Sequence, residues 1–272
     1  MEMVRMENPK KRLLLVLMIL SLSCAAGCWP FRDISIFTTE QEVELGQRVS
    51  EEVEAEVTLL NDPVILNYVR EVGARAASKA ERQDIIYAFK VIDDVGQVNA
   101  FAVPGGNIYI FSGLLARMDS EAELAAVLAH ETAHVAERHS MEALTRQVGF
   151  DIMVSALLGE EAAAWQEVLA NVSSTMAILE FSRQDEKEAD TLGLEYMHSA
   201  GYDARGMVNL LELFLELSQS EPSVIEVWLS THPASSERIR IVKELIQKHN
   251  LRGGRMAVPE YQAKMRAIKV RK

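Results

Sequence analysis

The chain has 272 residues, 49% of them apolar, which is enough for one sizeable core. Its formal net charge of −12 argues against nucleic acid as a partner. Its only cysteines are Cys24 and Cys28, so no disulfide can staple distant elements and no thiolate can serve a metal site deep in the chain.

Lys10-Lys11-Arg12 precedes LLLVLMILSLS. A basic segment followed by a short apolar run reads as a secretory signal. The run is shorter than the roughly 20 residues a membrane-spanning helix needs. Ala25-Ala26-Gly27-Cys28 follows, and small residues directly before a cysteine resemble a bacterial lipoprotein cleavage box. That likeness implies a signal over 1–27, a lipid on Cys28 and a tether over 28–38. Trp29, not an aspartate, follows Cys28, which points by the same likeness to the periplasmic face of the outer membrane. A soluble periplasmic protein is the alternative.

Thr39 to Leu60 reads as an amphipathic helix, with Val43, Leu45, Val49, Val53 and Val57 at helical spacing. Asn61-Asp62-Pro63 breaks it and starts a second helix over Val64 to Ala80. Ile85–Ile92, Val98–Val103 and Ile108–Phe111 read as strands, the last two joined by a Pro104-Gly105-Gly106-Asn107 turn. The expectation is a small antiparallel sheet that serves as scaffold, with an exposed edge holding an extended peptide by backbone pairing as the functional alternative. Ser120 to Glu123 forms a capping box for the next helix, whose buried face is Leu124, Val127, Leu128 and Val135. Phe150–Leu158 is apolar, and Glu160–Phe181 reads as a helix fit for the core. Ser218 to Ser223 reads as a loop, and Pro233-Ala234-Ser235-Ser236 leads into another helix. The basic stretch 251–272 reads as a solvated terminus, with a lipid- or partner-binding arm as the alternative.

The chemistry concentrates in the helix from Leu124 to His139, where His130-Glu131-Thr132-Ala133-His134 reads H-E-x-x-H. Residues four apart share a helix face, so His130 and His134 can reach one metal ion, and imidazole suits zinc. Glu131 beside that ion is the general base of a zinc hydrolase. Catalytic zinc takes a third protein ligand. Glu186 and Glu188 point about 200° apart on a helix and cannot both serve. Glu186, Asp190 and Gly193 share a face suited to a close crossing, with Glu186 as ligand and Asp190 accepting the free ring N–H of a liganding histidine. Glu188 reads as a solvated charge. His139, nine residues after His130, is assigned to the opposite face, and His198 and His249 are read as structural.

His130-Glu131-x-x-His134, Ser182-Arg183 and Glu186-x-x-x-Asp190 resemble the zinc peptidase family of the CAAX prenyl endopeptidases and HtpX-type proteases. Asn99-Ala100-Phe101, Gly105-Gly106-x-Ile108-Tyr109-Ile110 and Thr231-His232-Pro233-x-x-x-Glu237-Arg238 extend the likeness over about residues 40–245. It is strongest to the lipid-anchored periplasmic members of the BepA and LoiP type, although the 34-residue helix-pair repeats of BepA-like members are absent. The resemblance implies an α+β, mostly helical fold over 39–250, zincin-like and of the gluzincin kind, holding one Zn²⁺. It implies Glu186 as third ligand, Asp190 as its support, and His232 and Arg238 near the metal. Arg238 is a cation able to face an oxyanion, and His232 is able to face it too. In BepA-like members the matching histidine can instead take the water position and hold the enzyme latent. The implied activity is zinc-dependent endopeptidase action on misfolded or misassembled envelope proteins. A chaperone-like assembly factor with silent peptidase activity is the alternative, and a closed structural zinc site is a third reading.

Overall fold

The computed structural model describes residues 37–148 and 181–270. The expected signal, Cys24, Cys28, the apolar stretch Phe150–Leu158 and nearly all of the expected Glu160–Phe181 helix lie outside them. Helix α1 spans Thr39–Glu56 and starts at a Thr38–Gln41 capping box. The chain then runs extended, with Leu59 bridged to Ile92. Helix α2, Pro63–Ala77, opens on Asp62, whose carboxylate accepts from the Val64 and Ile65 N–H groups.

The three strands are β1, Ala88–Ile92, β2, Ala100–Ala102, and β3, Asn107–Phe111. Their order is β1-β3-β2, with β1 parallel and β2 antiparallel to β3. The sheet is therefore mixed, which corrects the antiparallel expectation. Successive strands do reverse direction. The 93–99 connection, however, lets β1 pair with β3 instead of β2, and the first and third strands of an up-down-up path run the same way. The tight turn between β2 and β3 uses Gly105 at φ 77°, and its backbone comes so close to α1 that an added Cβ would sit 2.8 Å from the Val43 Cα.

Helix α3, Ser112–Arg117, follows directly, and then α4, Glu121–Ala136. Ser120 caps α4 by accepting the Glu123 N–H at 3.2 Å. The Glu123 carboxylate reaches one residue further back than a capping box requires, to the Asp119 N–H at 2.8 Å. Buried residues run without a break from Glu121 to Val135, not along a single face. The reason is its alanine content: Ala122, Ala125, Ala126, Ala129 and Ala133 let neighbours approach from every side.

Helix α5 covers His139–Val148, α6 Arg183–Ser199, α7 Arg205–Ser220, α8 Pro222–Thr231, α9 Ser236–Lys248 and α10 Val258–Lys269. The expected loop at Ser218–Ser223 is instead two helix ends meeting at Glu221, because Pro222 fits the first turn of α8. Helices α2, α6 and α7, with β2 and β3, pack around α4. Two glycines set the closest crossings. A Cβ on Gly206 would meet Ala122 at 2.5 Å, and one on Gly193 would meet His130 at 3.0 Å.

Residues 251–270 do not form a solvated terminus. Arg255 bridges Tyr202, and α10 buries Tyr261, Met265 and Ile268 against α2, α3 and α4. Its charges obscured that stripe: Tyr261, Met265 and Ile268 recur at four- and three-residue spacing between Lys264, Arg266 and Lys269. Among the described residues no helix is long and apolar enough to cross a membrane.

Candidate metal centre

The α4–α6 crossing brings the predicted site residues together. His130, Glu131 and His134 project from the last turns of α4, and Glu186 and Asp190 from the first turns of α6. Gly193 lets the two backbones approach closely, as its place on the Glu186 face suggested. Thr132, at the first of the motif's two variable positions, turns its hydroxyl away to donate to the Leu128 carbonyl at 2.7 Å. His232 comes from the C-terminal end of α8 and Arg238 from the start of α9.

The Nε2 atoms of His130 and His134 lie 3.1 Å apart. His134 Nε2 lies 3.3 Å from Glu186 Oε1, and His130 Nε2 lies 3.8 Å from Glu186 Oε2. Ligand atoms held tetrahedrally at zinc–nitrogen and zinc–oxygen distances stand about 3.3 Å apart. These separations match that spacing, and two nitrogens at 3.1 Å leave no room for a proton on each. His130, His134, Glu186 and His232 each offer a ligand atom within 4.8 Å of the others, and all four are buried. The donor set is nitrogen and carboxylate oxygen without sulfur, which fits a catalytic zinc.

Charge is arranged in a ring around this point. Burial pushes the Glu186 carboxyl up, but His232 and Arg238 outweigh it and hold Glu186 well below the usual carboxylate range. His232 Nδ1 is 2.7 Å from Glu186 Oε1, and the His232 ring stacks on Trp228 with centroids 4.2 Å apart. Asp190 Oδ1 lies 3.2 Å from His130 Nδ1. Burial lowers the His130 pKa, while Asp190 and Glu186 raise it, and the net result lies above the ordinary imidazole value. Burial drives His134 well below that value.

Arg238 stands behind the carboxylates. Its Nε and Nη2 donate to Asp190 at 2.7 Å each, and Nη1 pairs with Glu186 and with the Pro233 carbonyl at 3.3 Å. Those donors are committed to holding the acidic residues, so the guanidinium is placed as a brace rather than as a free cation facing a substrate.

Glu131 is held differently. Burial raises its pKa, and a backbone N–H at Ala102 in β2 opposes the rise less strongly than His232 and His130 do. Its Oε1 is buried without a hydrogen-bond partner among the described residues, 3.8 Å from His232 Nε2. A desolvated carboxylate with one open oxygen is a base poised for a proton.

His139 is the residue the sequence misassigned. It does not lie on the opposite face, because α4 ends at Ala136 and Arg138 adopts φ 58°. The chain turns back, and His139 opens α5 with its Nδ1 2.9 Å from His134 Nδ1. Glu188 is half-buried beside it, Oε2 lying 3.8 Å from His139 Nε2. Phe181 lies against His134 with ring centroids 4.1 Å apart.

The profile of peptidase family M48 matches residues 66–246, which takes in every residue of this cluster. This chain belongs to that family. The M48 chain is 31% identical over 211 residues to the Beta-barrel assembly-enhancing protease of Yersinia pestis, covering 74% of this chain and 43% of that protein. It is 31% identical over 228 residues to the Putative beta-barrel assembly-enhancing protease of Vibrio cholerae, covering 79% and 46%. It is 36% identical over 179 residues to the Mitochondrial metalloendopeptidase OMA1 of Schizosaccharomyces pombe, covering 65% and 52%. The chain thus spans about half the length of the relatives it matches.

Proposed function

We propose that this M48 chain is a zinc endopeptidase of the bacterial cell envelope acting on misfolded or misassembled periplasmic and outer-membrane proteins. The observation that carries the reading is the buried His130–His134–Glu186 triangle, with a Glu131 oxygen beside it that has no partner among the described residues. The names of the relatives, an assembly-enhancing protease and a metalloendopeptidase, support the substrate class and the activity.

His130, His134 and Glu186 are the proposed ligands in a zincin-like, gluzincin arrangement. Zinc, when bound, supplies Lewis acidity for water activation and carbonyl polarisation. Glu131 takes the proton of the attacking water and returns it to the leaving amine. Asp190 fixes the ring of His130, and Arg238 braces Asp190 and Glu186. An unfolded segment adds to the edge of β2 that pairs with no described strand, and the Ala102 backbone on that strand helps to hold down the Glu131 pKa. The lipid on Cys28, following removal of residues 1–27, places this domain at the periplasmic face of the outer membrane.

His232 stands among the candidate ligands, and this favours a latent state in which its side chain must swing aside before water enters. The test compares cleavage of casein and of a denatured porin by wild type, Glu131→Gln and His232→Ala. Zinc-dependent cleavage by wild type or His232→Ala, abolished in Glu131→Gln with zinc retained, is the expected result. If neither wild type nor His232→Ala cleaves either protein, the peptidase reading fails and an assembly factor takes its place.

A further inference from the structure

His139 and Glu188 lie behind His134, and what they do for it rests on the zinc reading of His130, His134 and Glu186. A neutral imidazole carries one ring proton, on either nitrogen. To offer Nε2 to a metal, His134 must carry that proton on Nδ1. The acceptor that the described structure supplies for it is His139 Nδ1, at 2.9 Å. His134 is then the donor, so His139 must accept at Nδ1 and carry its own proton on Nε2. That nitrogen faces Glu188 Oε2 at 3.8 Å, and a carboxylate there favours the N–H form.

We propose that His139 is a positioning residue, setting the tautomer and ring angle of His134 through a fixed proton order running His134 Nδ1–H to His139 Nδ1 and His139 Nε2–H to Glu188. The two histidines of the motif are thereby held by different means. His130 leans directly on the carboxylate of Asp190 at 3.2 Å, and His134 leans on an uncharged ring. The electrostatics explain the difference. Glu131, Glu186 and Asp190 are all buried at this centre, with Arg238 as the cation braced against Glu186 and Asp190. The next buried carboxylate, Asp185, accepts the Ser182 N–H at 2.9 Å and pairs with Arg146 at 3.3 Å; a further one directly behind His134 would add desolvation cost and repulsion. An imidazole supplies the acceptor without the charge, and its anion stands further out, where Glu188 is only half-buried.

The corner that delivers His139 is strained. A non-glycine residue at φ 58° is uncommon and persists only where its surroundings hold it. Arg138 is kept there by its guanidinium, which donates to the Phe37 carbonyl at 3.1 Å and the Thr39 hydroxyl at 2.9 Å and pairs with Glu42 at 3.2 Å. Had α4 continued, His139 would have pointed about 140° away from His134. The edge-on packing of the two rings, 4.9 Å between centroids at 72°, and the contact of Phe181 with both fix the pair further.

Zinc affinity of the full chain, read by competition with a chelating dye, tests this together with nitrogen–proton correlation spectra of the histidine rings in zinc-loaded protein. His139→Leu removes the acceptor and should weaken zinc about 10- to 100-fold. His139→Asn places Oδ1 near the lost Nδ1 and should recover most of that loss, which a purely space-filling role would not produce. Glu188→Ala, further from the metal site, should give a smaller loss in the same direction. In the spectra, wild-type His134 should show the Nδ1–H tautomer and His139 the Nε2–H tautomer, with His139 shifting toward a mixture in Glu188→Ala. If wild type binds zinc and all three variants bind equally well, the positioning role is overturned while the zinc reading stands. If wild type binds no zinc, or His134→Ala binds it equally, the zinc reading fails and the proton order built on it fails with it. Should His139→Leu not fold, His139→Asn and Glu188→Ala decide, and unchanged ring tautomers in Glu188→Ala would count against the inference.

Discussion

The two ends of α4 are equally buried and are built on opposite terms. At the N-terminal end, Glu121 and Glu123 are buried carboxylates with every oxygen engaged. Glu121 accepts from the Tyr68 hydroxyl at 2.6 Å and pairs with Arg255 at 2.9 Å, while Glu123 takes the Ser120 hydroxyl and the Asp119 N–H. At the C-terminal end, the Glu131 Oε1 has no partner among the described residues, and two histidine nitrogens face each other at 3.1 Å. Buried polar atoms in proteins are satisfied as a rule, so unsatisfied ones need an explanation. On one helix, the satisfied end secures the fold and the unsatisfied end is the one to which we assign the metal and the reaction.

Substitutions at the two ends should therefore fail in different ways. Glu131→Gln is expected to lower cleavage about 10²- to 10⁴-fold while leaving the melting temperature unchanged or higher. A matching loss of stability, seen by calorimetry, would place Glu131 with the structural carboxylates instead. Arg238→Ala strands Asp190 and Glu186 and should cost about 3–5 kcal/mol in urea unfolding of metal-free protein. A loss under about 1 kcal/mol would mean that the brace is dispensable. Glu121→Ala should cost about 1–3 kcal/mol, because the Tyr68 hydroxyl loses its acceptor, while zinc affinity at low temperature stays as in wild type. Loss of zinc in that variant would erase the division between the ends.

The smallest effect is a pH dependence. Burial raises the folded-state pKa of Glu131. Below about pH 4 the carboxyl is protonated whether the chain is folded or not. As pH rises the unfolded chain ionises first, so the stability of metal-free wild type relative to Glu131→Gln should fall as pH passes through the folded pKa. The slope is at most about 1.4 kcal/mol per pH unit. A flat difference across that window would show the carboxylate to be better solvated than its surroundings imply.

The sequence revealed the chemistry of the site more completely than its surroundings. Spacing placed His130 and His134 on one face and put Glu186, Asp190 and Gly193 on another, because helical period is a local property. What escaped were features set by chain reversal and pairing. His139 was placed by counting turns along a helix that stops at Ala136, and a left-handed Arg138 has no signature in residue type. The β1–β3 pairing depends on where a connection crosses, which alternation of apolar residues does not encode. Arg238 could be read as a cation near the metal, but the carboxylates that claim its donors became visible only once α6 and α9 were packed together. The stripe in α10 is legible in principle, since Tyr261, Met265 and Ile268 keep helical spacing, but basic residues interleave it.

Helix α10 also sets a timetable. The Tyr261 hydroxyl donates to the Leu115 carbonyl across 146 residues, and Lys269 reaches the Met118 carbonyl from 151 residues on. Leu115 and Met118 are fully buried and lead directly into α4. A nascent chain that has emerged through α9 already contains every proposed ligand, yet the surface beneath α10 is still open to water and to other chains. Closing a loop of this length is slow and entropically costly compared with forming any local helix. The segment that holds none of the site's chemistry is thus the one whose arrival completes the core around it.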